Sequence, residues 1–147
     1  MTSGKASDEL PDHLFRWAEA LSRRVGGEMA RELPDDFPLS SGRSARILQM
    51  IPEGGMRITD LAERALVTKQ ALGQMVNTLE SAGLVESITD PSDARVRRVR
   101  RTPRGDAVSD ELTHAVTSIE QRLRAEVGAR RYDTMKQVMR ELGRDLF

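Results

Sequence analysis

The chain has no cysteine, two histidines, 3% aromatic residues and no net charge, and each shortage removes a class of chemistry. Without cysteine there is no disulfide, no thiolate zinc site and no thiol redox switch. His13 and His114 stand far apart in the sequence, so a catalytic triad or a histidine-rich metal site has little to draw on. The scarcity of aromatics argues against a single-strand binder that stacks bases. No apolar run approaches the ~20 residues that cross a bilayer. Met1 to Leu10 is polar and acidic, without an apolar leader. A cytoplasmic protein with no membrane role is expected. No nucleophile–base pair, carboxylate dyad, phosphate-cradling glycine loop or metal spacing stands out, so neither an enzyme nor a cofactor is expected.

What remains is a globular composition: 147 residues, 38% hydrophobic and 31% charged, enough for one domain with a core. Zero net charge speaks on its face against a nucleic-acid partner, but the distribution is uneven. Residues 57–105 carry nine Lys/Arg against six Asp/Glu, whereas residues 1–38 carry five against eight. Basic charge is concentrated in the middle and offset at the ends, as when one lobe faces phosphate.

Apolar residues at steps of three or four, Leu10, Leu14, Trp17, Leu21, Val25, Met29 and Leu33, predict a long first helix. A bend at Gly26-Gly27 is allowed for, and Pro34 and Pro38 close the segment. A second helix is expected from about Ser41 to Ile51, with Ala45, Leu48 and Ile51 on one face, before Pro52 and Gly54-Gly55 force a break. Thr59 reads as the N-cap of a third helix, Asp60 to Ala65. Thr68 caps a fourth that ends at Gly83, a residue suited to the left-handed position past a helix.

The period then changes. Leu84 to Thr89 and Val96 to Thr102 read as strands, and Asp90-Pro91-Ser92-Asp93-Ala94 as the turn of a hairpin. Thr102-Pro103 restarts a helix, with Thr as cap and Pro in the first turn. Its stripe is Val108, Leu112, Val116, Ile119, Leu123 and Val127. After Gly128 a last stripe follows: Tyr132, Met135, Val138, Met139, Leu142 and Leu146.

Two short helices, a tight turn and a basic hairpin make a winged helix-turn-helix. In the fourth helix Leu72, Met75, Val76 and Leu79 face inward. Thr68, Lys69, Gln70, Gly73, Gln74 and Asn77 are the candidate DNA contacts, because Gln and Asn read adenine bidentately and Gly73 admits close approach. An exposed helix face is polar in any protein, so the hairpin decides. Arg95, Arg97, Arg98, Arg100 and Arg101 crowd one arm and should repel one another without an anionic partner. Arg95, Arg97 and Arg98 join the candidate contacts, arginine being suited to a narrow minor groove. A solvated charged edge that discourages aggregation is the plainer reading.

Asp60-Leu61-Ala62-Glu63-Arg64, Leu79-Glu80, Gly83-Leu84-Val85, Asp90-Pro91-x-Asp93-x-Arg95 and Thr102-Pro103-Arg104-Gly105 stand in the order and spacing of MarR-family regulators, and the chain resembles that family from about Leu39 to Gly105. The resemblance implies a mainly α-helical homodimer with a two-stranded wing, dimerised through its first and last helices. The fourth helix would enter the major groove, Arg95 the adjacent minor groove, and Asp93 would hold that arginine. Dimer symmetry implies a roughly palindromic operator with half-sites ~34 Å apart. Three residues depart from the pattern: Leu66 in the interhelical turn, Ser87 in place of a basic residue, and Arg101 in place of leucine.

The expectation is thus a single domain over 1–147, with a DNA-binding lobe at 39–105 and dimerisation helices at 8–33 and 103–147. It would be a sequence-specific double-stranded DNA-binding regulator, a repressor released by a small-molecule effector. The resemblance also implies a cleft for a small aromatic or phenolic effector, for which His13, Trp17 and Arg43 are candidates. For Trp17 the plainer place is the core or the dimer interface. The alternative function is a winged-helix protein-interaction or sensor module that does not bind DNA.

Overall fold

The computed structural model describes residues 11–39 and 42–146. Leu10, Ser41 and residues 8–10 of the expected first helix lie outside them. Helix α1 spans Leu14–Glu32 and α2 Gly42–Met50, followed by a two-residue strand β1 at Met56–Arg57 and α3 at Ile58–Ala65. Then come α4 (Lys69–Ser81), β2 (Val85–Asp90), β3 (Asp93–Arg101), α5 (Pro103–Val127), α6 (Ala129–Leu142) and a 3-10 turn at Arg144–Leu146.

Local chemistry accounts for most of these boundaries. The His13 side chain caps α1, and Leu33 leaves the helix in an extended conformation, as a residue before proline must. Gly26 and Gly27 do not break α1, which runs through them. Thr68 Oγ1 accepts from Ala71 N at 3.1 Å and starts α4. At its end Gly83 adopts φ +72°. Gly83 N donates to Glu80 O and Leu84 N to Leu79 O, the paired bonds of a left-handed helix stop. Thr102 caps α5 through Gly105 N and also donates from its hydroxyl to Gly83 O at 2.6 Å. The start of α5 is therefore stitched to the end of α4.

The expected two-stranded wing is present as the β2–β3 hairpin, and β1 adds to it, giving a three-stranded antiparallel sheet in the order β1-β3-β2. Met56 pairs with Val99 and Arg57 with Arg98. Because β1 runs directly into α3, Arg57 rather than Thr59 is the N-cap, and Thr59 lies inside the helix. The Arg57 side chain makes no cap bond; the preceding ladder fixes this helix start instead. The hairpin strands are also longer at the tip than the alternation implied, with Asp90 paired to Asp93.

The winged lobe closes on Leu48, Ile51, Leu61, Leu72, Val76, Leu79, Leu84, Val99 and Leu112, all fully buried. Each such side chain contributes ~1.5–3 kcal/mol. A second, smaller cluster joins Ile119, Leu123 and Tyr132 to Leu21, Val25 and Met29. There Arg122 bridges Glu28 (2.9 Å) and Glu32, and Arg24 bridges Glu126, so paired charges tie α1 to α5. No helix among the described residues is long and apolar enough to cross a membrane.

Two backbone positions carry opposite costs. A Cβ at Gly105 would fall 1.9 Å from Leu84 O, where α5 crosses the start of β2. Leu66, between α3 and α4, is forced to φ 54°, a left-handed conformation that costs a non-glycine residue ~1–2 kcal/mol. Its side chain is 70% exposed and recovers little by burial. Leu66→Gly should therefore raise unfolding stability by roughly 0.5–1 kcal/mol, after the extra chain entropy of glycine is subtracted. Gly105→Ala should lower it by ~3 kcal/mol or more. Urea unfolding monitored by circular dichroism measures both, and a destabilised Leu66→Gly would refute the strain.

Candidate nucleic-acid interface

Helix α4 divides its residues between two environments. Leu72, Val76 and Leu79 are fully buried, which pins the rotation of the helix about its axis. Thr68, Lys69, Gln70, Gln74 and Asn77 are consequently exposed, with Gly73 half-buried among them. A Cβ on Gly73 would meet nothing within 4 Å, so the protein's own packing does not require glycine there. The structure thus assembles all six predicted α4 positions on one outward surface.

The wing departs from the picture of five mutually repelling arginines. Four of the five on β3 have anionic partners within the chain. Arg97 pairs with Glu80 at 3.1 Å, Arg98 with Asp90 at 3.4 Å, Arg100 with Glu86 at 2.6 Å and Arg101 with Asp106 at 2.7 Å. Arg98 also donates to the carbonyl of Gly55 at 3.0 Å. Arg101 thereby braces the first turn of α5, and its pairing with Val85 continues the hairpin register without interruption. Arg95 is different: it is exposed, and no described side chain pairs with its guanidinium. Its backbone N–H donates to Asp93 Oδ1 at 2.9 Å, so Asp93 shapes the chain that presents it.

Asp90 is the organising group that sequence reading missed. Its side chain is 3% exposed. It accepts from the Ser92 hydroxyl and amide and from Arg57 Nε at 3.0 Å, besides Arg98. These bonds, led by those from Ser92 and reinforced by the two guanidinia, hold the carboxyl far below the ordinary carboxylate range against the opposing effect of burial. Its position before Pro91 marked it as a turn residue, but nothing local showed that Arg57 would reach it.

The candidate effector residues are not gathered into one cleft. His13 Nδ1 accepts from Arg16 N at 3.2 Å, which commits that ring nitrogen to the helix cap. Trp17 is 55% exposed; its Nε1 donates to Asp12 and the Arg16 guanidinium lies 4.9 Å over its ring. Arg43 borders a groove with Ile47, Leu66, Val67 and Met75. It is the far half of α1 that meets α2. There Met29, Leu33, Phe37, Ala45 and Arg46 line an apolar cavity of about 300 Å³. Trp17 lies ~18 Å along the helix axis from Met29, towards the opposite end of α1 from that cavity.

Comparison with known proteins converges on one family. Residues 41–96 match the sequence model of the MarR family. The HTH-type transcriptional repressor Rv2887 of Mycobacterium tuberculosis is 30% identical over 100 residues, covering 68% of this chain and 70% of its own length. The reduced form of MarR from Escherichia coli superposes with TM-score 0.76 at 20% identity, covering 91% of this chain and 98% of that one. CouR from Rhodococcus jostii, solved with p-coumaroyl-CoA bound, gives TM-score 0.72 at 21% identity over 92% and 95%.

The buried carboxylate has a pH signature. Asp90 is more acidic folded than unfolded, so its contribution is fully present above its ordinary pKa of 3.8. That contribution is lost progressively as pH falls towards the depressed folded value. Asp90→Asn should therefore melt below wild type at pH 7, and the gap should narrow steadily below about pH 4. Thermal melts of the pair across pH 3–7 check this; a gap independent of pH would show that Asp90 is not the ionised anchor.

Proposed function

Because this chain belongs to the MarR family of winged-helix transcriptional regulators, which are not enzymes, we propose that it acts as a homodimeric cytoplasmic repressor reading a roughly palindromic duplex operator. The observation that carries this reading is the pairing of two features. A polar, exposed α4 face stands beside a wing whose β3 cation Arg95, unpaired among the described residues, is held near the tip. Arg95 and Arg97 border one groove on the wing, and Arg97 touches α4 through Glu80. Arg95 therefore stands on the wing beside the residue that meets the helix. In this reading Gln70, Gln74 and Asn77 contact base edges, Thr68 and Lys69 the backbone, and Gly73 lets the helix sink. Arg95 enters the neighbouring minor groove, while Arg97 and Arg98 serve the wing itself.

The dimer is supported by apolar surface that one copy leaves uncovered. Leu14, Phe15 and Trp17 on α1 and Val138, Met139 and Leu142 on α6 are all exposed. Between α1, α5 and α6 lies an open apolar cavity of about 500 Å³, lined by Leu21, Val25, Leu123, Tyr132, Met135 and Met139. A second copy burying these surfaces would place two α4 helices on one face for successive half-sites. An effector, by analogy with the CouR complex an aromatic acid or its thioester, would suit the cavity at Met29, Phe37 and Arg46. His13 and Trp17 could join Arg43 only from a second copy.

Light scattering at micromolar concentration should give twice the 16.4 kDa chain mass, and Met139→Glu should halve it; a folded wild-type monomer would overturn the dimer. On a duplex enriched by wild type, Arg95→Ala should bind roughly tenfold or more weakly with unchanged mass and helix content. Wild-type affinity should fall steeply with salt, by ~0.9 log unit per log unit of salt for each neutralised phosphate. Undiminished binding by Arg95→Ala would refute the role of the wing.

A further inference from the structure

Near the outer edge of the α4–wing junction, three side chains from three elements converge. Glu80, in the last turn of α4, accepts from Ser87 of β2 and from Arg97 Nη2 of β3 at 3.1 and 3.2 Å. Arg97 Nε in turn donates to Ser87 Oγ at 2.8 Å. The triangle closes, each member touching the other two. Arg97 pairs across the hairpin with Thr89, immediately before the bulge that leads into the tip. The cluster therefore grips the wing along its length, between the root held by Thr102 and the tip held by Asp90.

Two roles are open to an arginine here, and the structure separates them. A phosphate ligand would need its charge uncompensated, yet Arg97 faces a carboxylate, and Glu80 itself would repel a nearby phosphate. A positioning role needs both partners as found. Arg97 lies two residues from Arg95, and the two border one groove on the wing with Ser87 and Thr89. Fixing Arg97 against the recognition helix fixes where Arg95 is delivered relative to that helix. Ser87 fits this arrangement. A cation at 87 would compete for Glu80, whereas serine leaves the carboxylate to Arg97 and bridges the two.

We propose that Glu80, Ser87 and Arg97 form a clamp that sets the wing against α4, and that Arg97 is a positioning residue acting on DNA through Arg95. The inference rests on the DNA-binding reading above. Its test uses the full-length dimer and a duplex enriched by wild type from a random pool. Glu80→Ala, Arg97→Ala and the double variant are compared in two backgrounds, with Arg95 intact and with Arg95→Ala. With Arg95 present, each single variant should bind about tenfold more weakly, and the double no worse than either. In the Arg95→Ala background the same changes should cost almost nothing further.

Tighter binding by Glu80→Ala would overturn the clamp, since that is what removing an anion beside phosphate does when Arg97 is itself the ligand. So would an Arg97→Ala loss of equal size in both backgrounds. Unchanged dimer mass and helix content separate these effects from misfolding. If wild type enriches no duplex, the DNA reading itself fails and the clamp falls with it; enrichment by wild type with either overturning result removes the clamp alone.

Discussion

A single buried carboxylate holds the winged half of this molecule in register. Asp90 gathers Arg57 from β1, Arg98 from β3 and Ser92 from the turn. A charge this poorly solvated is tolerable only with such a set of partners. The requirement works in both directions. The carboxylate needs the guanidinia, and their convergence draws β1 onto β3, so the strand that opens α3 and the strand that carries Arg95 become one sheet. Since α3 leads through a tight turn into α4, that helix and the wing are positioned from a common anchor.

The same logic runs along the rest of the wing. Acidic groups from α4, β2 and α5 neutralise the arginines of β3 one by one, which fits a chain of zero net charge. Exposed pairs of this kind add little to stability. Their effect is to remove indiscriminate positive charge and leave Arg95 as the cation the strand offers. A wing built this way gains less from bulk attraction to phosphate and depends more on where one guanidinium is delivered. In the proposed reading, specificity lies in the geometry between α4 and the wing tip. The strained turn at Leu66 sits in the same connection, where a left-handed residue is needed whatever its side chain.

How far the sequence discloses this depends on the range of the interaction. Signals within a few residues read true: Thr68 and Thr102 as caps, Gly83 as a helix stop, and the buried stripe of α4 that places Gln70, Gln74 and Asn77 outward. β1 was not legible, because two residues show no period and the strand exists only through its pairing with β3. The start of α3 was displaced for the same reason, with Thr59 offering a plausible cap that the ladder overrides. The arginine pairs were hidden by distance: Glu80 and Arg97 are on different elements, and only the folded hairpin brings them together. The expected self-repulsion of the arginines overlooked acids already encoded on either side. His13, Trp17 and Arg43 come only from the implied cleft, and the groove that Arg43 borders is lined by α2 and the α3–α4 turn without the other two.

In the proposed reading α4 and Arg95 together read a specific duplex, and selection of bound duplexes from a random DNA pool, with wild type and Arg95→Ala in parallel, tests it. Wild type should enrich a palindromic motif with half-sites about one helical turn apart, and the variant should enrich it weakly or not at all. Failure of wild type to enrich any motif would contradict that reading.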